Sequence, residues 1–176
     1  PLFIIIAAFG QMFGVGAGSY ISRLLGENNK KQADKTTSTT FFTSLATGIA
    51  FTILGFVFIE PLLSLFGATD TIMPFAKEYS KILVAGSVFT VCNMTLNNMI
   101  RAEGNAKYSM FAISLGAGLN IIWGGILMFG FDMGIAGAAL ATVLAQAISF
   151  IFLIRYFISG KSYIKIATEH FTFSKE

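Results

Sequence analysis

Uncharged polar side chains recur on single faces of three apolar segments, and these residues are the ones in the chain best suited to bind a ligand. At about 100° of rotation per helical residue, one such face covers about 80° of the helix circumference. It holds Thr90, Asn93 and Asn97, with Gly86 at its start and the charged Arg101 at its end. The next two segments carry Gly116, Asn120 and Gly124, and then Ala138, Thr142, Gln146 and Ser149. Hard monovalent cations take amide, hydroxyl and carbonyl oxygens as ligands. The pattern therefore predicts an ion site or a substrate cavity, with Asn93, Asn97 and Gln146 on the cavity wall.

The same faces have a second interpretation, which is that they join helices. An interhelical hydrogen bond inside a membrane contributes about 0.6 kcal/mol, and the Thr142 hydroxyl can bond to a carbonyl of its own helix. Small residues on these faces can serve close packing alone. The residue types leave both interpretations open.

Charged and catalytic groups are missing from the middle of the apolar segments. Glu60 and Asp132 lie only at segment ends, whereas a proton relay needs an ionisable group within the membrane. The single histidine, His170, lies in the polar tail, and metalloprotease, phosphate-loop and nucleophile-elbow motifs are absent. We therefore predict that the chain is not an enzyme and uses no cofactor.

Three alternating glycines, Gly14, Gly16 and Gly18, look like part of a nucleotide-binding loop. No strand precedes them, so that interpretation fails. Gly14 and Gly18 instead form a GxxxG pair, which lets two helix backbones approach closely. We predict a helix contact at this face.

Five apolar stretches must position these residues. The chain is 55% hydrophobic and 12% charged, against about 25% charged in a typical soluble domain. Each stretch is close to the roughly 20 residues that cross a bilayer as a helix, and helices satisfy their own backbone groups in lipid. We predict an all-α polytopic membrane protein whose five transmembrane helices cover Leu2–Ser22, Phe41–Ile59, Ile82–Ile100, Tyr108–Phe131 and Ile135–Ile158.

Lysine and arginine residues fall mainly on one side of the predicted membrane. Alternate connections, at 23–35, 101–107 and the tail 159–176 with the adjoining Arg155, hold ten of them, and the opposite side holds two, Lys77 and Lys81. Cytoplasmic loops are enriched in these residues. The bias predicts a multi-pass plasma-membrane protein whose loops 23–35 and 101–107 and tail are cytoplasmic. The sequence has no basic stripe with interleaved aromatics, so we predict no nucleic-acid partner.

Three longer motifs resemble the multidrug and toxic compound extrusion (MATE) family. GVGAGSYISRLLGENNKKQAD resembles the family's second helix and the loop after it, and LNNMIRAEGNAKYSM is similar to its fourth-to-fifth helix junction. LNIIWGGILMFGFDMGIAGAALATVLAQ resembles its fifth and sixth helices. The order and spacing of the motifs extend the resemblance over nearly the whole chain.

The resemblance implies helices two to six of the amino-terminal six-helix bundle. Residues 1–158 would then be a partial bundle and 159–176 a cytoplasmic linker toward a second bundle. The chain opens on Pro1 without a basic leader, which we interpret as a fragment whose first helix is missing. Its implied partners are that helix, the second bundle, the lipid bilayer and a small organic substrate.

The family exchanges sodium ions or protons for organic, often cationic, compounds by alternating access, so the resemblance implies a secondary active antiporter. By the same resemblance, Asn120, the carbonyl of Ala138 and Thr142 match the cation ligands of some members. The first-helix aspartate of that site lies in the missing segment. Gly124 stands where the family often has a second aspartate, so an ion site here would be weaker or differently coupled.

Two other functions compete with drug export. A lipid-linked oligosaccharide flippase of related fold would have a more cationic central cavity, and no lysine or arginine lies at mid-span here. A non-transporting membrane scaffold subunit would have polar faces that are dry and pair with each other.

Overall fold

The computed structural model describes residues 1–170, which form helices and no strand. The helices are α1 (Leu2–Gly26), α2 (Lys30–Val57), α3 (Ile59–Leu65), α4 (Met73–Ala85), α5 (Ser87–Ala102), α6 (Ala106–Gly125) and α7 (Gly134–Ile158). A π turn, Ile126–Gly130, extends α6, and a 3-10 turn covers Thr168–His170. In the described part, four helices are long and apolar enough to span a membrane, and the bent pair α4–α5 would make a fifth span. The predicted all-α architecture is confirmed.

Large apolar side chains cover the outside of the bundle. On α6 and its π turn, for example, Ile121 is 78% exposed and Phe129 is 83% exposed. Threonine, serine and asparagine side chains are instead buried between helices. This distribution suits a protein in a lipid bilayer, because apolar side chains on its surface contact lipid and not water.

The start of α2 differs from the sequence prediction. The predicted span begins at Phe41, whereas the helix begins at Lys30, so the predicted loop 23–35 reduces to a turn at residues 27–29. Asn29 caps the helix by accepting a hydrogen bond from the Gln32 amide at 3.3 Å, as an N-cap residue does. Several threonine hydroxyls of α2 donate to carbonyls four residues earlier in the same helix, at Thr36, Thr40, Thr43 and Thr47.

The predicted span Ile82–Ile100 is interrupted near its start, because α4 ends at Ala85 and α5 begins at Ser87 after a bend of 49°. Gly86 and Ser87 form a Gly/Ser pair, a common cause of helix kinks. The Ser87 hydroxyl donates to the Val84 carbonyl at 2.7 Å. A Cβ at Gly86 would lie 2.6 Å from a methyl group of Val143. The bend therefore depends on the close approach of α7 as well as on local sequence.

Helix α5 is the centre of the bundle and contacts α1, α2, α6 and α7. Its contact with α1 is close because glycines face it: a Cβ at Gly10 would lie 2.8 Å from the Met94 Cβ, and one at Gly14 would lie 2.7 Å from Asn98 Nδ2. At Gly18 the nearest atom would be 3.4 Å away. The predicted packing role of this glycine face is confirmed, with its tightest points at Gly10 and Gly14.

The start of the tail packs back onto the bundle. Glu103 accepts hydrogen bonds from the Ser162 hydroxyl at 2.8 Å and from the Tyr163 amide at 3.1 Å. Asp34 accepts one from the Lys165 amide at 2.8 Å, and Ile164 is fully buried in the main hydrophobic core. We call residues 161–167 the docked segment. The side chain of His170 and residues 171–176 of the predicted linker lie outside the described part.

At the opposite end, α3 follows α2 and lies beside α4. Lys77 donates to the Glu60 carboxylate. This hydrogen bond and the positive charge of Lys77 lower the pKa of the exposed Glu60 carboxyl. The pair therefore links the two short helices that precede the bend, and it does so most strongly above the ordinary pKa of glutamate.

Candidate functional site

A cavity of about 290 Å³ lies between α1, α5, α6 and α7. Five of the predicted site residues line it. With the other amide and hydroxyl side chains of the lining, the set is Gln11, Asn93, Asn97, Asn98, Asn120, Thr142, Gln146 and Ser149. The remaining predicted residue, Ala138, lies one turn before Thr142 in α7 and is not part of the lining. The three polar faces found in the sequence therefore meet at one place.

Part of the polar face of α5 joins it to α7. The Thr90 hydroxyl donates to Gln146 Oε1 at 2.7 Å, and Asn93 Nδ2 donates to the Gln146 carbonyl at 2.9 Å. These bonds are the interhelical contacts of the second interpretation. They leave the amide nitrogen of Gln146 without an acceptor among the described residues.

Asn97 is satisfied within the protein. Its Nδ2 donates to the Asn93 carbonyl at 2.8 Å, and its Oδ1 accepts from the Ser109 hydroxyl at 2.9 Å. Ser109 in turn accepts from Arg101 Nε at 3.0 Å. Because its amide nitrogen and oxygen already bond to Asn93 and Ser109, Asn97 mainly holds these two residues in place and has less to offer a ligand.

Asn93 differs from Asn97 in one respect. Its Oδ1 is buried and has no hydrogen-bond donor within residues 1–170, although the residue is only 8% exposed. A buried acceptor without a donor costs about 1–3 kcal/mol. Asn93 lines the cavity, but its Oδ1 is itself inaccessible, so a ligand can donate to this oxygen only after neighbouring side chains move.

The residues predicted to bind a cation lie on facing helices. Asn120 is half-buried in the cavity wall, and no hydrogen bond of its side chain occurs in the described part. The Thr142 hydroxyl donates to the Ala138 carbonyl at 3.1 Å, so two of the three predicted ligands already bond to each other. A Cβ at Gly124 would meet no atom within 4 Å, so the position has room for a larger side chain. Cation binding by these residues stays a prediction.

The charge of the cavity was not foreseen. Of the described residues that line it, Arg101 alone is charged. Sequence analysis placed Arg101 on the polar face of α5 and counted it among the cytoplasmic basic residues, but it gave Arg101 no part in the cavity. Its partner Ser109 lies at the start of α6, and only the tight turn at Gly104, with a φ of 94°, brings the two together. Gln11, which accepts from Asn98 Nδ2 at 2.6 Å, was also missed because α1 shows no polar face.

Comparison with known proteins decides the family. The MatE family model matches residues 1–126. This chain belongs to the MatE family. Among curated MATE relatives, the multidrug export protein MepA of Staphylococcus aureus (strain MRSA252) is 31% identical over 166 residues, which are 94% of this chain and 37% of that protein. MepA of Staphylococcus haemolyticus (strain JCSC1435) is 32% identical over 170 residues, 97% of this chain and 38% of that protein.

Solved MATE structures match the fold closely. An inward-facing multidrug resistance MATE transporter of the MOP superfamily superposes with a TM-score of 0.94 at 32% identity, over 99% of this chain and 40% of that one. An outward-facing one gives a TM-score of 0.89 at 33% identity, over 99% and 38%. The chain thus spans about two fifths of the length of its relatives. Because the family consists of transporters, the predictions of a multi-pass membrane protein and of a chain that is not an enzyme are confirmed.

Proposed function

We propose that the protein containing this MATE chain exports small organic compounds, often cationic ones, from the cytoplasm by antiport against sodium ions or protons. The bundle described above would form one wall of the transport pathway, and a second bundle would form the other. Access would alternate between the two membrane sides as the bundles rock against each other. The cytoplasmic side would be that of residues 27–29, the turn at Gly104 and the docked segment.

The observation that carries this proposal is the open cavity between α1, α5, α6 and α7, which is lined by amide and hydroxyl side chains. A scaffold subunit needs no open cavity, and its polar groups would all pair with each other. Here the Asn93 amide oxygen and the Asn120 side chain stay without partners in the described part. Multidrug export relatives that match over nearly the whole chain support the same function.

Ion coupling is the less direct part of the proposal. Asn120 and Thr142 offer amide and hydroxyl oxygens on facing helices, and these are suitable ligands for sodium. A carboxylate would come from outside this chain, because the described lining contains none. The Asn120 side chain would then bind the ion directly, since no protein group competes for it here.

The test is gradient-driven efflux in proteoliposomes that contain the full-length protein and a fluorescent organic cation such as ethidium. We expect efflux when an inward sodium or proton gradient is imposed and none without it. Asn120→Ala removes no hydrogen bond of the described structure, so it is expected to fold normally while shifting the sodium or pH dependence of efflux. Ser114→Ala, on the exposed side of the same helix, is the control and keeps the wild-type dependence. Efflux at the same rate with and without the sodium and proton gradients would disprove antiport.

A further inference from the structure

The docked segment brings together two groups of lysines that are far apart in the chain. Its backbone lies along the start of α2, where Asp34 accepts a hydrogen bond from the Lys165 amide at 2.8 Å. The Ser38 hydroxyl lies 3.2 Å from the Lys165 carbonyl and 3.0 Å from the Ala167 amide, and it bonds to both. Because these side chains of α2 bind backbone groups of the segment, they leave its lysine side chains free.

The carboxylates beside the docked segment do not neutralise a lysine. Asp34 and Glu103 both accept hydrogen bonds from the segment itself. The ion pairs within residues 1–170 are Arg23–Glu27 and Lys77–Glu60, and neither lies in the segment or in the first turns of α2. The lysine charges at this end of the molecule therefore have no counter-charge in direct contact within residues 1–170.

Five lysines surround the docked segment, and we call them the composite patch. They are Lys30, Lys31, Lys35, Lys161 and Lys165. At about 100° per helical residue, Lys30 and Lys31 lie on opposite sides of the line along which Asp34 and Ser38 hold the segment. Glu169, on the 3-10 turn that follows, offsets one of the five charges. The patch therefore keeps a strong positive charge that neither group of lysines has by itself.

The composite patch borders the lipid-facing surface of the bundle. Lys30 Nζ lies 4.9 Å from the centre of the Tyr163 ring, and Tyr163 is 58% exposed. Tyrosine rings are enriched at the level of the lipid headgroups. Ile158, at the end of α7 just before the segment, is 79% exposed, which suits a residue that contacts lipid. The patch thus lies where an apolar surface ends and a charged one begins.

The start of α2 also places lysines at the depth of the headgroups. The predicted span begins at Phe41, and Lys35 precedes it by six residues, or roughly 9 Å of helix. The headgroup layer is about 5–8 Å thick on each side of the hydrocarbon, and long lysine side chains extend along apolar surface to place their charge in it. The Lys35 ammonium therefore reaches lipid phosphates. Lys31, about one turn further out, lies within one Debye length of them, about 8 Å at physiological salt.

We propose that the composite patch binds the headgroups of anionic phospholipids in the leaflet beside it, which the predicted orientation makes the cytoplasmic one. Clusters of four to eight basic residues next to a membrane span bind anionic lipids, and each residue contributes several-fold in affinity. Binding depends on the docked segment, since two of the five lysines belong to it. Bound lipid in turn holds the segment against α2. This inference does not rest on the proposed export function.

Native mass spectrometry of the full-length protein in neutral detergent tests the proposal by counting bound lipids. The protein is titrated with phosphatidylglycerol or with phosphatidylcholine of the same acyl chains. Wild type is expected to bind the first phosphatidylglycerol about tenfold or more tightly than the first phosphatidylcholine. Lys31→Gln combined with Lys165→Gln removes one exposed lysine from each part of the patch. This double variant should weaken phosphatidylglycerol binding about tenfold and leave phosphatidylcholine binding unchanged.

A matched control removes the same charge from the same end of the molecule. Lys107 and Arg155 are exposed and lie outside the patch, so Lys107→Gln combined with Arg155→Gln should keep the wild-type preference for phosphatidylglycerol. Melting temperatures establish that each variant is folded. If this control weakens phosphatidylglycerol binding as much as the patch variant does, the binding reflects general surface charge and the proposal is wrong.

A third variant opposes the effect of charge to the effect of docking. Asp34→Ala combined with Ser38→Ala removes the hydrogen bonds that hold the segment on α2, and it makes the protein more positive by one charge. We expect weaker phosphatidylglycerol binding, because the two groups of lysines separate. Stronger binding by a folded variant would overturn the proposal. If this variant does not fold, the exposed lysine pair and its control decide the question.

Two results with the wild-type protein would also overturn the proposal. Equal affinity for the two lipids would mean that the patch does not recognise the anionic headgroup. Displacement of phosphatidylglycerol by excess inorganic phosphate at constant ionic strength would assign the patch to a free anion and not to the membrane.

Discussion

Two threonines of this bundle make the same hydrogen bond in different surroundings. The Thr142 hydroxyl donates to the Ala138 carbonyl at 3.1 Å and the Thr47 hydroxyl to the Thr43 carbonyl at 2.8 Å. Both residues are half-buried, but only Thr142 lines the cavity. The bond itself is therefore a shared structural contribution. Any functional role of Thr142 lies in the acceptor that its oxygen presents to the cavity.

A matched pair of substitutions separates these two contributions. Thr142→Ala and Thr47→Ala should each change stability by less than about 1 kcal/mol, because each removes one bond within a helix. Only Thr142→Ala should shift the sodium or pH dependence of efflux by the full-length protein. Thermal unfolding and efflux titrations measure the two effects. Identical efflux titrations for the two variants would assign Thr142 a structural role alone.

At the scale of elements, the packing of α1 on α5 is the contact most sensitive to side-chain size. Gly14 and Gly16 lie on different sides of α1: a Cβ at Gly14 would lie 2.7 Å from Asn98 Nδ2, whereas one at Gly16 would meet no atom within 4 Å. A leucine can therefore be placed on the same helix either against α5 or away from it.

We expect Gly14→Leu to destabilise the bundle by about 1–3 kcal/mol, since overpacking forces side chains and backbone to shift. Gly16→Leu should leave stability within about 0.5 kcal/mol of wild type. The thermal stability of the full-length protein in detergent provides the comparison. A wild-type melting curve for Gly14→Leu would mean that α1 does not rest on α5 as described.

The sequence predicted the positions of some helices better than others, and each error has its own physical reason. Apolar length located the spans, but α2 extends well beyond the predicted Phe41 because a helix does not end where the bilayer ends. Asn29 was the available signal for its start. The bend at Gly86 needs both a Gly/Ser pair and the approach of Val143, and the second condition is not local. Helical periodicity correctly brought Asn93, Asn120 and Thr142 to one cavity, whereas Ser109 required the path of the α5–α6 turn.

At the scale of the whole molecule, orientation in the membrane is the property that charge alone predicts. The turn at residues 27–29 and the segment around Thr71 lie at opposite ends of the bundle's second span. Glu27 and Thr71 are both exposed, and Cys92 is fully buried. Glu27 suits labelling better than Asn29, because Asn29 caps α2.

We predict that Thr71→Cys reacts with an impermeant thiol reagent in intact cells and that Glu27→Cys reacts only after the cells are opened. Both are made in the Cys92→Ala background of the full-length protein. Ten of twelve basic residues on one side give this direction under the positive-inside rule. The unmodified Cys92→Ala protein controls for background labelling. The reverse labelling pattern would require the opposite orientation.

The docked segment has a consequence for how the protein is made. The carboxylate of Asp34 accepts a hydrogen bond from the Lys165 amide, which lies 131 positions later in the chain. The hydrogen-bond donors to Glu103 lie about sixty positions after it. At a translation rate of about 5–20 residues per second, roughly 7 to 26 seconds pass between the synthesis of Asp34 and that of Lys165. Throughout that interval α2 is in the nascent chain while its final partner does not yet exist. The last contacts of this bundle therefore form after its helices have left the ribosome, and a ribosome that pauses before Ile164 leaves the core of the bundle open to chaperones and proteases.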